Sequence, residues 1–255
     1  MKLFRRGMAL ALLSLTLLTG VGCQSAPSKR PMPVLMYHDL VAEDPGNLND
    51  WTVTTEKFRE DLQWLKDNGY TTVLPRELAS GEDLPDKPVL VTFDDGYESN
   101  YTLALPILEE TDSKAVIALI TQRIDSRKPG FLTWEQCRIL HDSGWVELGS
   151  HTHDSHSGEK PGILRRDGET REDYEARIFT DLETSVEIIK TNVGADVTYF
   201  AHPHGQKDEW SEAFVKGLFP VTTTSEVATA NLAGGTQDMP RYNISMSTPL
   251  SQYLD

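Results

Sequence analysis

A parallel-sheet α/β fold, curled into a distorted and incomplete (β/α) barrel, is what the sequence predicts. Three observations carry that expectation. Short apolar runs alternate with amphipathic stretches along nearly the whole chain, the pattern of strands joined by helices. The run "KPVLVTF" is almost continuously apolar, as a strand covered on both faces must be. Six or seven such units follow one another, and polar residues cluster just after the strands, positions that a parallel barrel collects on its carboxyl face.

The elements follow in order. "PVLMYHDL" (33–40) reads as a buried strand ending in a polar loop. "TTEKFREDLQWLKDNGY" (54–70) carries Phe58, Leu62 and Leu65 at helical spacing, with Gly69 as a stop. "TTVL" (71–74) and "KPVLVTFDD" (87–95) are strands, then helix signals run over about 98–110. "KAVIALI" (114–120) is a strand, 133–142 a helix, and "WVELGS" (145–150) a strand after Gly144. Residues 157–170 are polar and glycine-rich, a surface loop and a candidate lid. A long helix over about 171–191 turns Ile178, Leu182, Val186 and Ile189 to one face. "DVTYFAHPHG" (196–205) is a strand and loop, 208–217 a short helix, "FPVTTT" (219–224) a strand, and "MPRYNIS" (239–245) the last segment.

The first residues stand outside that fold. Lys2, Arg5 and Arg6 precede an apolar run from Met8 to Leu18, and small residues lead to Cys23, the plan of a secretory signal. Its Gly22-Cys23 ending resembles a bacterial lipoprotein signal, in which the cysteine is lipidated. The expected organisation is a signal over 1–22, a tether over 23–31 and one domain over 32–255, extracytoplasmic and lipid-anchored through Cys23. A secreted form is the alternative. With Cys23 lipidated, Cys137 has no disulfide partner and is expected as a buried thiol.

The 255 residues are 38% hydrophobic and 25% charged, a composition that supplies a sizeable core. The net charge is −15, and about −18 once the leader's three basic residues are gone. That balance argues against nucleic acid or an anionic membrane surface as a partner. It suits a neutral or cationic substrate.

Two features carry chemistry. Asp94 and Asp95 stand side by side at the end of a buried strand, where repulsion and desolvation are costly unless a cation sits there or one carboxylate is reactive. "SHTHDSH" (150–156) sets three of the seven histidines in six positions directly after another strand. Imidazole and carboxylate are the donors of zinc and its neighbours, and a catalytic site leaves one position for water. One aspartate then binds the cation and the other takes a proton.

"TFDDG" followed by "SHTHDSH" resembles the polysaccharide deacetylase family of carbohydrate esterases, the NodB-like fold. "VLMYHDL" near the start resembles the branch that de-N-acetylates poly-β-1,6-N-acetyl-D-glucosamine, in which the usual motif order is circularly permuted. The resemblance covers roughly 32–245. It implies Asp94 as general base, Asp95, His151 and His156 as metal ligands, and His38 as the general acid that protonates the departing amine. It implies a divalent ion, Zn2+ first and Co2+, Ni2+ or Fe2+ as alternatives. In "FAHPHG" His202 and His204 replace the branch's aromatic residues, and the backbone N–H of His204 is implied as an oxyanion donor. The wider family's arginine in this motif is absent, with Ala201 about where it would fall. Arg241 of "MPRYN" either orients an active-site carboxylate or makes an ordinary surface ion pair. His153 is either a third histidine ligand or a loop residue facing substrate.

The expected activity is a metal-dependent hydrolase that removes N-acetyl groups from N-acetylglucosamine units of an extracellular polysaccharide, acting as a monomer. Poly-N-acetylglucosamine is favoured, with chitin-type oligomers and peptidoglycan as other substrates. Two other readings stay open: an O-acetyl esterase on a xylan-type glycan, and a non-catalytic glycan-binding lipoprotein.

Overall fold

The computed structural model describes residues 30–81, 83–156 and 162–254; the expected signal, most of the tether and the start of the 157–170 loop lie outside them. Eight parallel strands form one sheet: β1 (Val34–Tyr37), β2 (Thr71–Thr72), β3 (Pro88–Phe93), β4 (Ala115–Leu119), β5 (Val146–Ser150), β6 (Tyr199–Ala201), β7 (Val221–Thr223) and β8 (Tyr242–Asn243). Their order is β7-β6-β5-β4-β3-β1-β8, with β2 on β3. The sheet curls until one segment, 239–243, spans its ends. At one end of that segment the Met239 N–H donates to Thr222 C=O and the Met239 C=O accepts from the Thr224 N–H, beside β7. At the other end Tyr242 and Asn243 pair with β1. The result is the curled parallel half-barrel that the alternation of elements predicts.

Side-chain alternation gives each strand an inner and an outer face. Val34, Leu90, Val116, Ala118, Tyr199, Ala201 and Val221 fill the inside of the curl. Leu35, Tyr37, Val89, Val91, Phe93, Ile117, Leu119 and Leu148 face outward into a second core. The helices Thr55–Asp67, Leu105–Glu110 and Trp134–Asp142 supply that outer core with Phe58, Leu62, Leu65, Ile107, Leu108, Cys137 and Leu140. Cys137 is a buried free thiol, as expected, and burial pushes it up to about 12.

The long helix Arg171–Val193 starts at Thr170, whose hydroxyl accepts from the Asp173 N–H, and stops at Gly194. Tyr174, Ile178, Leu182, Ser185 and Ile189 are its buried stripe. Val186 packs half-buried against the same core as expected, and Ser185 beside it is fully buried, its hydroxyl meeting that of Ser150 at 2.7 Å at the end of β5. Short elements escaped the sequence reading. Pro31–Met32 pairs antiparallel with Ala230–Asn231, so the folded unit already includes Pro31. Asp39–Val41 pairs with Thr52–Thr54, and the first turn of the 98–110 helix is a π turn over Asn100–Ala104. No helix of the described residues is long and apolar enough to cross a membrane.

Candidate active site

The inner face of β3 runs Leu90, Thr92, Asp94, and the backbone of Asp94 extends the ladder by donating to Tyr37 C=O at 3.0 Å. Asp94 thus lies at the carboxyl mouth of the curl, only 2% exposed. Arg241, 1% exposed, holds both of its oxygens, Nη1 to Oδ1 at 2.7 Å and Nη2 to Oδ2 at 2.8 Å. The guanidinium also donates to Thr92 Oγ1 and, through Nε, to Thr224 C=O. Burial alone would raise the Asp94 carboxyl, but the Arg241 charge, then His151, hold it well below the usual carboxylate range. A buried clamp of this kind excludes the surface-ion-pair reading of Arg241.

Asp95 is turned elsewhere. It has φ of 77°, in the left-handed region that aspartate tolerates, and Gly96 follows at 79°. The positive φ at Gly96 strains any residue with a side chain, and a Cβ there would also press on Leu119 Cδ2 at 2.9 Å. The double left-handed step separates two adjacent carboxylates. Asp95 Oδ1 lies 3.9 Å from His151 Nε2 and 3.6 Å from His156 Nε2.

His151 follows β5, and its N–H continues the ladder to Leu119 C=O. Its Nδ1 meets Ala201 C=O at 2.7 Å, which fixes the proton on Nδ1 and leaves the Nε2 lone pair facing Asp95. Burial lowers His151 to about 4. Burial, then the neighbouring His151, lowers His156 to about 3. Both rings are therefore neutral at pH 7, the state a metal ligand requires. The donor atoms of Asp95, His151 and His156 lie within 4.8 Å of one another. Asp95 Oδ1 is buried with no hydrogen-bond partner. Neutral imidazoles and an unsatisfied carboxylate oxygen converging on one point fit a divalent cation.

A cavity of about 400 Å³ opens above these groups, lined by His38, Trp51, Asp94, Asp95, His151, His156, His204 and Arg241. Asn100 Nδ2 donates to His38 C=O at 2.9 Å, which anchors the backbone there. His38 Nδ1 is buried without a partner. His204 has φ of 56°, and its ring lies 4.7 Å from that of His156. Gly205 behind it, at φ 66°, packs so closely on Ser225 that a Cβ would fall 2.6 Å from the Ser225 nitrogen.

The other two candidate histidines, His153 and His202, do not line the cavity. His153 meets Thr121 Oγ1 at 2.9 Å through Nδ1, while its N–H donates to Asp181, so it braces the loop. His202 is buried against Phe200 and lies 3.4 Å from Asp238, because the turn Pro203–Gly205 swings only His204 to the mouth. The described end of the 157–170 loop is tied down, with Ile163 buried and its carbonyl accepting from Tyr174 Oη.

Sequence reasoning missed Trp51 and Arg123. Trp51 stands 50% exposed at the cavity with its ring 4.8 Å from that of His38. Arg123 Nη1 lies 3.5 Å from Asp95 Oδ1 while its guanidinium covers Phe131. Neither sits in a recognisable spacing, and each reaches the site from a loop or a one-turn helix.

Comparison with known proteins agrees with this architecture. Residues 81–218 match the polysaccharide deacetylase family. The poly-beta-1,6-N-acetyl-D-glucosamine N-deacetylase of Escherichia coli strain K12 is 28% identical over 268 residues, covering 90% of this chain and 40% of that protein. The chain thus spans well under half the length of that relative. The structure of IcaB from Ammonifex degensii is 27% identical with a TM-score of 0.69, covering 87% of this chain and 94% of that one. The Streptococcus pyogenes deacetylase PplD in complex with acetate superposes with a TM-score of 0.75 over 89% of this chain and 100% of that one. At 23% identity it speaks for the fold alone.

Proposed function

The chain belongs to the polysaccharide deacetylase family, and from that premise we propose that it hydrolyses the acetamide of N-acetylglucosamine units in an extracellular polysaccharide. The favoured polymer is poly-N-acetylglucosamine, the substrate for which the Escherichia coli relative is named. The carrying observation is the division of the aspartate pair, one clamped by Arg241 and one facing two neutral imidazoles.

Asp95, His151 and His156 would hold a divalent ion, zinc first. When bound, such an ion lowers the pKa of a water to roughly 7 and polarises the acetamide carbonyl. Asp94 acts as the general base. Arg241 keeps it ionised at neutral pH and fixes the plane of its carboxylate, so a free lone pair accepts the proton of the attacking water. The backbone N–H of His204 is the proposed donor to the oxygen on which charge develops. His38 gives a proton to the departing nitrogen, which an amide needs because an unprotonated amine leaves poorly. Burial holds the His38 pKa below the usual imidazole value, and the charges of Asp94 and Asp95 oppose that shift without cancelling it. A positioned acid of this kind supplies roughly 10²–10⁴-fold. The products are acetate and a glucosamine unit. We place the protein outside the cytoplasm, held to a membrane by lipid on Cys23, with the signal over 1–22 and a tether that ends before the Pro31 strand preceding one catalytic domain.

The test is acetate release from N-acetylglucosamine oligomers by residues 24–255, with chelator and with metal restored. Release that chelator stops and zinc or cobalt restores supports the proposal. Release only from acetyl esters would move the activity to O-deacetylation. Oligomer binding without any release would make the chain a glycan-binding protein.

A further inference from the structure

Trp51 is the single aromatic residue among the large hydrophobic side chains left exposed in the described residues, and it is 50% exposed. Its backbone is nevertheless pinned. The Trp51 N–H donates to Asn49 Oδ1 at 2.8 Å, and its C=O accepts from the Asp39 N–H at 3.1 Å. Asn243 Nδ2 holds the carbonyl of the preceding Asp50 at 3.0 Å. The strand that follows, Thr52–Thr54, is paired with Asp39–Val41. A half-exposed indole on a fixed backbone is apolar surface presented to solvent in a set position, with little ordering left to lose on binding.

The position is at the cavity. One edge of the indole meets the His38 ring at 4.8 Å and 60°. A second exposed ring, His204, also lines the cavity, against His156 at 4.7 Å. The two rings border the cavity of about 400 Å³, within the range of small-ligand sites. A β-linked gluco-configured pyranose carries its substituents equatorially, so each flat face is a patch of axial C–H groups. That face is the complement of an indole: apolar in the middle, polar at the rim.

We propose that Trp51 is the stacking platform for a pyranose ring of the polysaccharide, next to the unit whose acetamide reaches Asp94 and His38. The proposal rests on the reading above for the identity of its ligand. Trp51 sets polymer binding and the placement of the reacting unit, and it takes no part in proton transfer.

The experiment measures binding, by calorimetry, of a β-1,6-linked N-acetylglucosamine tetramer to the chain carrying Asp94→Asn with zinc present. Adding Trp51→Ala weakens binding by about tenfold or more, and Trp51→Tyr restores it to within about threefold. His38→Ala in the same background removes the edge contact yet weakens binding less than Trp51→Ala does. Melting curves of the variants check that each is folded. Unchanged binding in Trp51→Ala, or no rescue by tyrosine, overturns the proposal. Tetramer binding that depends on Trp51 in a chain whose wild type releases no acetate would sink the deacetylase reading and leave the platform standing. No tetramer binding to any form overturns the platform itself.

Discussion

Arg241 and Asp94, separated by 147 positions, form a two-pronged ion pair at 2.7 and 2.8 Å in the interior of the curl. Removing one partner of such a pair leaves a buried charge unanswered, which costs about 3–5 kcal/mol. Arg241→Met is therefore expected to lose about that much stability in urea unfolding and all acetate release. Arg241→Lys restores the charge but not the fork, so stability returns in part while activity stays low. Arg241→Met with wild-type stability would mean that the clamp is not what holds Asp94.

Metal binding should be visible as stability. A cation at 100 times its dissociation constant raises the unfolding free energy by about 2.7 kcal/mol. Zinc is expected to raise the melting temperature of the wild type and to leave His156→Ala and Asp95→Asn almost unmoved. An equal rise in all three would place the bound zinc elsewhere.

Arg123 puts a fixed positive charge 3.5 Å from Asp95 Oδ1, the oxygen that faces both imidazoles. A like charge beside a cation site weakens it. Arg123→Met is expected to bind zinc about tenfold more tightly in a chelator competition. Weaker binding would show that Arg123 instead orients the carboxylate.

Acid should loosen the loop that ends at the long helix. Arg177 holds both oxygens of Glu169 at 2.7 Å, and this pairing first, with the Arg166 N–H in support, holds the Glu169 carboxyl down to about 2 from an ordinary 4.5. A depressed carboxyl contributes fully above its unfolded pKa and loses that contribution as pH falls toward the folded value. The window is thus about pH 4.5 down to about 2. Glu169→Gln should flatten the pH dependence of stability within that window only. An unchanged acid limb would show that the pair contributes nothing.

The long, strongly patterned elements were legible in the sequence. The apolar run at β3 and the Phe58, Leu62, Leu65 spacing are local signals, and the structure builds a strand and a helix from them. That the aspartate pair and the histidine loop meet was legible as well, because parallel strands deliver their carboxyl ends to one face; the choice of Asp95, His151 and His156 within them came from the family resemblance. Arg241 was only half legible. Its partner lies across the curl, and nothing local separates a buried fork from a surface pair. His202 and His204 look equivalent in "AHPHG", yet a single left-handed residue, His204, sends one ring to the cavity and leaves the other on Phe200. Trp51 had no signal, since exposure of an indole is a tertiary outcome.

The most direct test of the division of labour is metal content measured beside acetate release in Asp94→Asn and Asp95→Asn. Asp94→Asn is expected to keep one metal ion per chain and release no acetate, while Asp95→Asn loses both. Equal metal content in the two variants, or turnover by Asp94→Asn, would contradict it.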